Sequence, residues 1–340
     1  MSFSVGLSSD LSDGVGGFSW GKISIETLDP LSWEFMKPTG VNFTPDVLLG
    51  YDAVAFAGPG INPDSFGKPD DSPLVISRFG VGYDNIDLAS CTRAGTALTI
   101  TPDGSQKPVA TAALTLLLST MHRLIANDRL ARSHGWDKRI NGLGMGLNGK
   151  TIGTVGLGNV ATEFFRLLAP FDCTRLSFDP WKVQHEADQH DVKLVDLDTL
   201  MQECDVVIVM AVLTPETRHL ISTKQFAQMK KTGILVNLSR GPIVDEAALI
   251  SALENGDIAG AGLDVFEVEP PIKENSLLKM ENVIVTPHNI AWTDELAFGM
   301  GKSAFTSIKA ISQGKIPQFV VNKDVLETEQ FKKKLARFSS

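Results

Sequence analysis

The sequence has little of several features that mark specialised classes of protein. It contains three cysteines, Cys91, Cys173 and Cys204, whose spacing fits no metal-ligand pattern and whose odd number prevents complete pairing. We therefore expect a reduced, cytoplasmic protein without a metal site. The most apolar stretch, 109–121, contains threonine and serine and is too short to cross a bilayer. A basic start followed by an apolar core is also missing, so neither a signal peptide nor a membrane partner is expected.

Positive charge is scarce as well. The chain has 31 Lys and Arg residues against 40 Asp and Glu residues, and its net charge of −9 argues against a nucleic-acid partner. A basic cluster at 332–337 is predicted to be the solvated end of a helix. The rest of the composition is ordinary, because 43% hydrophobic and 21% charged residues suit packed cores. A length of 340 residues suggests two domains.

What the chain does have is a glycine motif in its middle. An apolar run at 151–155 leads into Gly156 and Gly158, and the residues after them have the apolar spacing of a helix. Gly156 permits a tight turn, Gly158 lets the backbone approach a ligand, and Ala161 lets the helix pack closely on the strand. The N-terminus of such a helix binds phosphate groups. Asp179 closes the next apolar run about twenty residues later, where a carboxylate accepts hydrogen bonds from a ribose and repels a 2′-phosphate. The motif therefore predicts a site for NAD rather than NADP.

Apolar runs alternate with turn-rich segments over the first hundred residues, and the alternation repeats after the glycine motif. Such alternation predicts parallel sheets covered by helices. A long helix is expected over about 108–133, with Pro108 in its first turn. A final amphipathic helix is expected near 296–311. The strand-like segment 316–321 is expected to return to the first domain.

This return divides the sequence into two domains. Residues 1–105 and 313–340 would form one domain, and residues 106–312 would form the other, which holds the glycine motif and the linking helices. Two long helices would then connect the domains. A substrate and a nicotinamide would meet in the cleft between them.

Segments that follow strands of the second domain carry groups able to do chemistry. Arg240 follows an apolar strand and precedes Gly-Pro, which places it in a tight turn where the strand ends of an open α/β sheet line the ligand crevice. Its planar guanidinium fits a carboxylate or a keto oxygen. Glu267 and Glu269 follow another strand, and at most one of them is expected to face the crevice.

Among six histidines, His288 is the one that directly follows a strand of this domain. Imidazole is well suited to remove or supply a hydroxyl proton near neutral pH, and a neighbouring carboxylate orients the ring. Glu269, His288 and Arg240 therefore form a chemically complete set for oxidising a secondary alcohol with hydride transfer to a nicotinamide. His219, in a polar turn, is assigned no role.

The first domain offers a candidate anion site. Gly80 and Gly82 flank Val81 just after an apolar strand, in a segment that begins with Arg78. Such a sequence is able to point successive backbone amides at one anion. We expect it to hold the carboxylate of a substrate.

In combination, these motifs resemble those of the D-isomer-specific 2-hydroxyacid dehydrogenases over nearly the whole chain. The matching segments are 80–87 (GVGYDNID), 155–161 (VGLGNVA), 213–217 (LTPET), 239–241 (SRG), 269–270 (EP) and 286–288 (TPH). The resemblance implies an α/β fold with two doubly wound parallel sheets. A flavodoxin-like substrate domain would be built from both chain ends, and a Rossmann nucleotide-binding domain would be inserted between them.

The resemblance also implies an activity and its residues. It implies NAD-dependent interconversion of a small 2-keto acid and its D-2-hydroxy acid. Arg240, Glu269 and His288 would be the catalytic set, and the amides around Val81 and Gly82 would bind the substrate carboxylate.

Further residues are implied along the cofactor. Asn159, Val160 and Thr214 would lie beside NAD, and Asp264 would contact the nicotinamide carboxamide. Family members are usually homodimers joined through the nucleotide-binding domain, so a homodimer is expected here. The long helix and the loop 135–149 are the expected contact.

The identity of the substrate stays open. Trp292 would either narrow the substrate pocket or pack against the last helix. A glyoxylate or hydroxypyruvate reductase would use the same site. D-3-phosphoglycerate dehydrogenase is another alternative, although the loop 58–67 has no cation to meet a phosphate and only Arg78 or a partner subunit would supply one. A protein of a different class, an NAD-sensing interaction protein like the corepressors of this fold, is the remaining alternative.

Overall fold

Two parallel sheets organise the chain. The computed structural model describes residues 3–338, so residues 1–2 and 339–340, which close the first expected domain, lie outside the described residues. The strands are β1 (Ser4–Leu7), β2 (Ser32–Phe35), β3 (Ala53–Phe56), β4 (Val75–Arg78), β5 (Ala97–Thr99), β6 (Thr151–Val155), β7 (Thr174–Phe178), β8 (Lys193–Leu194), β9 (Val206–Val209), β10 (Ile234–Asn237), β11 (Gly260–Leu263) and β12 (Val283–Val285). The α-helices are α1 (Pro45–Leu48), α2 (Leu88–Arg93), α3 (Pro102–Met121), α4 (Leu124–Arg132), α5 (Asn159–Leu168), α6 (Gln184–Asp188), α7 (Leu197–Glu203), α8 (Thr223–Gln228), α9 (Glu246–Glu254), α10 (Asp294–Ser312) and α11 (Glu329–Ala336). Short 3-10 segments lie at Ser9–Leu11, Ile25–Leu28, Pro69–Asp71, Trp136–Gly142, Gly241–Ile243, Ser276–Lys279 and Lys323–Glu327.

The chain divides into two units, each with its own sheet. One unit comprises Met1–Ser105 and Trp292–Ser340, and the other comprises Gln106–Ala291. The first sheet is parallel in the order β2-β1-β3-β4-β5, which is the doubly wound flavodoxin-like order. All four residues of β3 are buried, as expected for a parallel strand that is covered on both faces. The predicted flavodoxin-like domain, with both chain ends in it, is confirmed.

The second sheet has the order β12-β11-β10-β9-β6-β7-β8, again parallel. Counted from β6, this is the Rossmann order 3-2-1-4-5-6 with one further strand. The chain order reverses between β6 and β9, and open α/β sheets bind ligands at the carboxyl ends of the strands at such a point. Separate clusters of buried apolar side chains, one around Val207 and Leu235 and one around Phe164 and Val236, stabilise this unit.

The last long helix, α10, belongs to the first unit, so the predicted boundary after residue 312 is wrong. Its buried face, which includes Met300 and Phe305, packs on β3 and β4. Phe305 meets Phe79 edge to face with ring centroids 5.7 Å apart. An apolar helix face is stabilised by the surface that it covers, and α10 covers the first sheet. The boundary therefore lies between Ala291 and Trp292.

The helix predicted over 108–133 is wrong in its start and in its continuity. α3 begins at Pro102, so Pro108 lies inside the helix rather than in its first turn. The helix ends at Met121, because Arg123 adopts a left-handed backbone conformation with φ of 52°, and α4 continues at an angle of 57°. Apolar spacing does not report such a change at one residue. No single helix within residues 3–338 has both the length and the hydropathy of a membrane span, and α3 and α4 reach them only when counted together.

The end of the chain returns to the first sheet, as predicted, but not as a strand. Val320 forms an isolated antiparallel bridge with Thr99, and the Val321 amide donates to the carbonyl of Leu98 at 2.9 Å. Asn322 completes the contact, since its Oδ1 accepts from the Leu98 amide at 2.9 Å. The predicted placement of 316–321 in the first domain is therefore confirmed.

The basic cluster at 332–337 is not a wholly solvated helix end. Lys334 is 2% exposed, and its Nζ donates to the carbonyls of Ser72, Pro73 and Ala94 at 3.1, 3.0 and 2.9 Å. A buried ammonium is tolerated when each of its donors finds an acceptor. α11 is thus anchored on the first unit by a lysine that the sequence places in an apparently solvated run.

Candidate active site

The glycine motif forms the predicted strand, turn and helix. Gly156 has φ of 101°, and a Cβ atom there would lie 2.9 Å from the backbone nitrogen of Ala211, so a side chain would be strained and crowded. A Cβ at Gly158 would meet nothing within 4 Å, which leaves open space at the N-terminus of α5. Ala161 is fully buried against the sheet. These features suit a phosphate group at the first-turn amides of α5, whose N–H groups have no acceptor within the helix.

Asp179 follows β7 and lies beside the glycine turn. Its Oδ2 accepts from the Leu157 amide at 2.8 Å, and its Oδ1 accepts from the Trp181 amide at 2.9 Å. Both bonds fix the carboxylate at the carboxyl end of the strand next to β6, where an acid contacts a ribose in Rossmann folds. The position of the Asp179 carboxylate therefore fits the NAD that the sequence predicts.

Three other predicted cofactor contacts follow strands β6 and β9. Asn159 and Val160 open α5, and the Asn159 carbonyl accepts from Nε2 of Gln106 at 3.0 Å. Thr214 lies in a closed turn after β9, where its amide donates to Oγ1 of Thr217 at 2.7 Å. All three residues lie at the carboxyl-end side of strands near the point where the chain order reverses.

Glu269 and His288 form a direct pair. His288 Nδ1 lies 2.8 Å from Glu269 Oε2, and the two side chains are 44% and 36% exposed. Glu269 Oε1 accepts from the Phe266 amide at 3.0 Å, so the carboxylate is held from both sides. His288 has a left-handed backbone with φ of 55°, an uncommon conformation for a residue with a side chain. Among the described residues, nothing is bonded to Nε2 of His288, so one ring nitrogen is left for a ligand.

The environment favours the ionised form of Glu269. Partial burial favours the neutral acid, but the hydrogen bonds from His288 and the Phe266 amide, together with the charges of His288 and Arg240, outweigh it. The pKa of Glu269 is therefore lowered. Arg240 lies in the predicted turn after β10, and its Nη1 donates to the carbonyl of Ser239 at 2.8 Å. The structure thus brings the electrostatic influence of Arg240 to the Glu269–His288 pair.

Asp264 has contacts that the sequence did not predict. It is 4% exposed, and its Oδ1 accepts from Thr286 Oγ1 at 2.7 Å and from the amides of Asn289 and Ile290 at 2.9 and 3.1 Å. These donors lie on both sides of His288 in the chain. Asp264 therefore fixes the backbone that carries His288, and its Oδ2 takes no hydrogen bond from residues 3–338.

The predicted anion site of the first unit follows β4. Gly80 has φ of 122°, and its amide donates to Oγ1 of Thr101 at 2.8 Å. Within the described part of the chain, no hydrogen bond uses the amides of Val81 and Gly82, and Val81 is 39% exposed. Arg78 ends the strand with its guanidinium 5.7 Å above the Phe56 ring. Two neighbouring, unused amides are the donors that an anion requires.

Trp292 belongs to the first unit, where it contacts another tryptophan. Its ring lies 4.4 Å from that of Trp20 at an interplanar angle of 38°, and 58% of Trp292 is exposed. Trp20 lies in a glycine-rich loop after β1. The residue thus has a packing partner and also retains an exposed aromatic surface.

A pocket of about 460 Å³ opens beside the Glu269–His288 pair. Glu269 and His288 are among its lining residues, and most of its wall is apolar. The apolar lining residues are Phe266, Pro270, Pro271, Leu278, Val285 and Pro287. The pocket lining contains no lysine or arginine.

These features define a dinucleotide-binding α/β protein with a histidine–carboxylate pair, and the comparisons with known proteins specify the class. Residues 114–289 match the family model described as D-isomer specific 2-hydroxyacid dehydrogenase, NAD binding domain. A glyoxylate reductase of Thermofilum pendens is 39% identical over 265 residues, covering 76% of this chain and 78% of that protein. A D-3-phosphoglycerate dehydrogenase of Archaeoglobus fulgidus is 38% identical over 257 residues, covering 76% of this chain but 49% of that protein. The solved structure of a glyoxylate reductase from Paecilomyes thermophila superposes with a TM-score of 0.78 at 25% identity, covering 95% of this chain and 99% of that one.

The chain therefore belongs to the D-isomer-specific 2-hydroxyacid dehydrogenase family. It is an NAD-dependent oxidoreductase, and the resemblance expected from the motifs is confirmed.

Proposed function

We propose that this enzyme interconverts a small 2-keto acid and its D-2-hydroxy acid, with His288 as the acid–base group. The observation that carries the proposal is the 2.8 Å contact between His288 Nδ1 and Glu269 Oε2, which leaves Nε2 as the reactive nitrogen. In the reducing direction, Nε2 donates its proton to the keto oxygen. In the oxidising direction, Nε2 takes the hydroxyl proton. Glu269 accepts from Nδ1 in both directions and stabilises the imidazolium form.

Each unit offers donors to which we assign a role in substrate binding. Arg240 offers a guanidinium to the carboxylate or the keto oxygen, where it would stabilise the charge that develops during reduction. The unused amides of Val81 and Gly82 hold the carboxylate, as in other backbone anion sites. Arg78, the last residue of β4, adds positive charge just before these amides in the chain. These roles give each polar group of a 2-keto acid a donor.

The second unit holds NAD, which supplies or accepts the hydride when it is bound. We assign the pyrophosphate to the amides at Gly156, Gly158 and the start of α5, with Asn159 and Val160 alongside, because no side chain fills the space beside Gly158. Asp179 would accept hydrogen bonds from the ribose hydroxyls. Thr214 and the free oxygen of Asp264 would line the remaining length of the cofactor, and Asp264 would accept from the nicotinamide carboxamide.

The two glyoxylate reductases named above favour glyoxylate as a candidate substrate, and hydroxypyruvate is the alternative that the sequence analysis left open. The wall of the pocket beside His288 favours a substrate with an apolar substituent and speaks against a phosphorylated one, since it contains no lysine or arginine. Trp292 has an exposed aromatic face, and we propose it as a substrate-binding residue of the first unit.

The test is turnover of NADH with a panel of 2-keto acids that includes glyoxylate, hydroxypyruvate, pyruvate and branched or aromatic acids. At least one acid should be reduced, and His288→Ala should lower kcat by about 10²–10⁴-fold because general acid catalysis is lost. NADH affinity, measured by fluorescence titration, should stay within about twofold because the variant leaves the glycine turn intact. His185→Ala, an exposed position on α6, is the matched control and should behave as wild type. Absence of turnover with every acid, together with tight NADH binding, would instead support the NAD-sensing interaction protein.

We further propose a cytoplasmic homodimer. The free thiols of Cys91, Cys173 and Cys204 suit a reducing compartment. Apolar side chains more than a third exposed cluster between α4 and the loop that follows it, and they are Leu124, Ile125, Trp136, Ile140 and Leu143. An exposed group of this kind supports a subunit contact. Sedimentation equilibrium gives the mass that decides between monomer and dimer.

A further inference from the structure

A second histidine–carboxylate pair lies close in the chain to Glu269. Nε2 of His219 is 2.7 Å from Oε1 of Glu267, and the two side chains are 41% and 28% exposed. Glu267 precedes Glu269 by two residues, and His219 follows Thr214 by five. Neither His219 nor Glu267 has a role in the reaction proposed above.

The backbone of His219 is tied to the turn that carries Arg240. His219 has a left-handed backbone with φ of 52°, which is costly for a residue with a side chain and persists only where contacts enforce it. Its amide donates to the carbonyl of Pro242 at 2.8 Å. Pro242 lies in the 3-10 turn Gly241–Ile243, which begins directly after Arg240. His219 therefore contacts the Arg240 turn through its backbone and Glu267 through its ring.

Glu267 is likewise held by several contacts. Its Oε2 accepts from the Glu246 amide at 3.2 Å, and its own amide donates to Oε2 of Glu246 at 3.0 Å. A Cβ atom at Gly241 would lie 1.8 Å from the carbonyl oxygen of Phe266, so the Arg240 turn packs directly on the peptide before Glu267. One residue earlier in the same segment, the Phe266 amide donates to Glu269.

We propose that the His219–Glu267 pair is a positioning device that fixes the Arg240 turn against the segment carrying Glu269, and so directs the Glu269 carboxylate at Nδ1 of His288. His219 and Glu267 act through these neighbours and touch neither substrate nor cofactor. The ring contact adds a side-chain bond to the packing at Gly241, to the bonds with Glu246 and to the 2.9 Å bond from the Asp264 amide to the Asn237 carbonyl. A displacement of about 1 Å in supporting groups is enough to lower turnover by up to about 10²-fold. The effect on turnover rests on the proposed function, whereas the effect on the His288 ring does not.

The test replaces His219 by asparagine. Asparagine tolerates a left-handed backbone, so His219→Asn keeps the turn but is too short to reach Glu267. In the wild-type protein, the bond to Glu269 holds the neutral His288 ring with its proton on Nδ1. Long-range 1H–15N spectra of the 15N-labelled protein report which ring nitrogen carries the proton, and the His288 signals are assigned by their loss in His288→Ala. We expect His219→Asn to move His288 towards a mixture of both tautomers and to lower kcat by about 10- to 100-fold, with the KM for NADH within about twofold.

A second variant keeps the inference falsifiable if His219→Asn does not fold. Glu267→Gln preserves the size of the side chain and removes its charge, and it should shift both readouts in the same direction. The double variant should be no worse than the more affected single variant, because both remove one interaction. Asp198→Asn, which breaks the exposed 2.9 Å contact with Lys224 in the same unit, is the matched control and should change neither readout.

The outcomes separate this inference from the proposed function. Wild-type tautomers of His288 and kcat within twofold in both variants would overturn the positioning role. If the enzyme turns over no 2-keto acid, the tautomer measurement still decides, since it needs no substrate. Lower thermal stability with an unchanged His288 ring would reduce the pair to a structural contact and would also reject the proposal.

Discussion

Replacing Asp264 by alanine should destabilise the protein and disable His288 through one change. Asp264 Oδ1 accepts three hydrogen bonds, from Thr286 Oγ1 and from the amides of Asn289 and Ile290, and the residue is 4% exposed. Removing the carboxylate leaves these donors without their acceptor. Asn289 is exposed and recovers a bond to water, whereas Thr286 and Ile290 are half-buried. An unsatisfied donor costs about 1–3 kcal/mol when it is buried, so we expect a loss of about 2–4 kcal/mol in the free energy of unfolding.

The same change should lower turnover more than NADH affinity. His288 lies between Thr286 and Asn289, so Asp264 fixes the backbone on both sides of it. The left-handed φ of 55° at His288 is unfavourable and depends on this anchorage. Without the bonds to Asp264, the segment around His288 should relax and move the imidazole ring away from Glu269. A fall of about 10- to 100-fold in kcat is expected from displacement on this scale.

Two measurements check this prediction. Urea denaturation followed by far-UV circular dichroism gives the free energy of unfolding, and steady-state kinetics with a reduced 2-keto acid gives kcat. Asp264→Asn is the matched control, because its amide oxygen still accepts the three bonds and should retain most of the stability. An Asp264→Ala protein within 0.5 kcal/mol of wild type, or with kcat within twofold, would refute the anchoring role.

Two further changes test the cofactor site and the buried Lys334 of α11. Asp179→Ala should relax the preference for NADH over NADPH, because the charge that repels a 2′-phosphate is gone, and it should raise the KM for NADH about tenfold through the lost bond to the Leu157 amide. A wild-type enzyme that already works better with NADPH would contradict the assignment. Burial lowers the pKa of Lys334 to about 7, whereas an unfolded lysine titrates near 10.4. The unfolded chain therefore binds the extra proton between these values, and wild-type stability should rise with pH in that window by at most about 1.4 kcal/mol per pH unit. Lys334→Met should lack this rise in denaturation curves taken between about pH 7 and 10, and parallel pH dependences of the two proteins would exclude the effect.

The sequence predicts well those features that depend on neighbouring residues. The glycine motif gives the strand Thr151–Val155 and the helix that follows, since a tight turn and a helix start are local requirements. Helix caps are local in the same way, since the Asp245 side chain accepts from the Ala248 amide at the start of α9. The edge strand β2 was not predicted, because three of its four residues are exposed and no apolar run marks it.

Features that depend on distant residues were harder to predict. The burial of Lys334 needs three carbonyls more than 200 residues earlier in the chain, and a run of lysines gives no sign of them. The assignment of α10 to the first unit depends on which sheet its apolar face covers, and helical spacing alone does not say. For the same reason, Asp264 was predicted only as a cofactor contact. Its three bonds exist because the chain after β12 turns back towards β11.

Three carboxylates lie close together in the chain after β11, and each has a different function in the candidate site. The sequence expectation was that at most one of Glu267 and Glu269 would face the crevice, and the two side chains do point to different histidines, 2.7 Å from His219 and 2.8 Å from His288. Asp264, at the start of the same segment, holds the backbone on both sides of His288. One carboxylate thus fixes the backbone, one orients the ring, and one joins the supporting segments. The position of a single imidazole therefore depends on three acids, and a change at each acid should have its own combination of stability, tautomer and turnover effects.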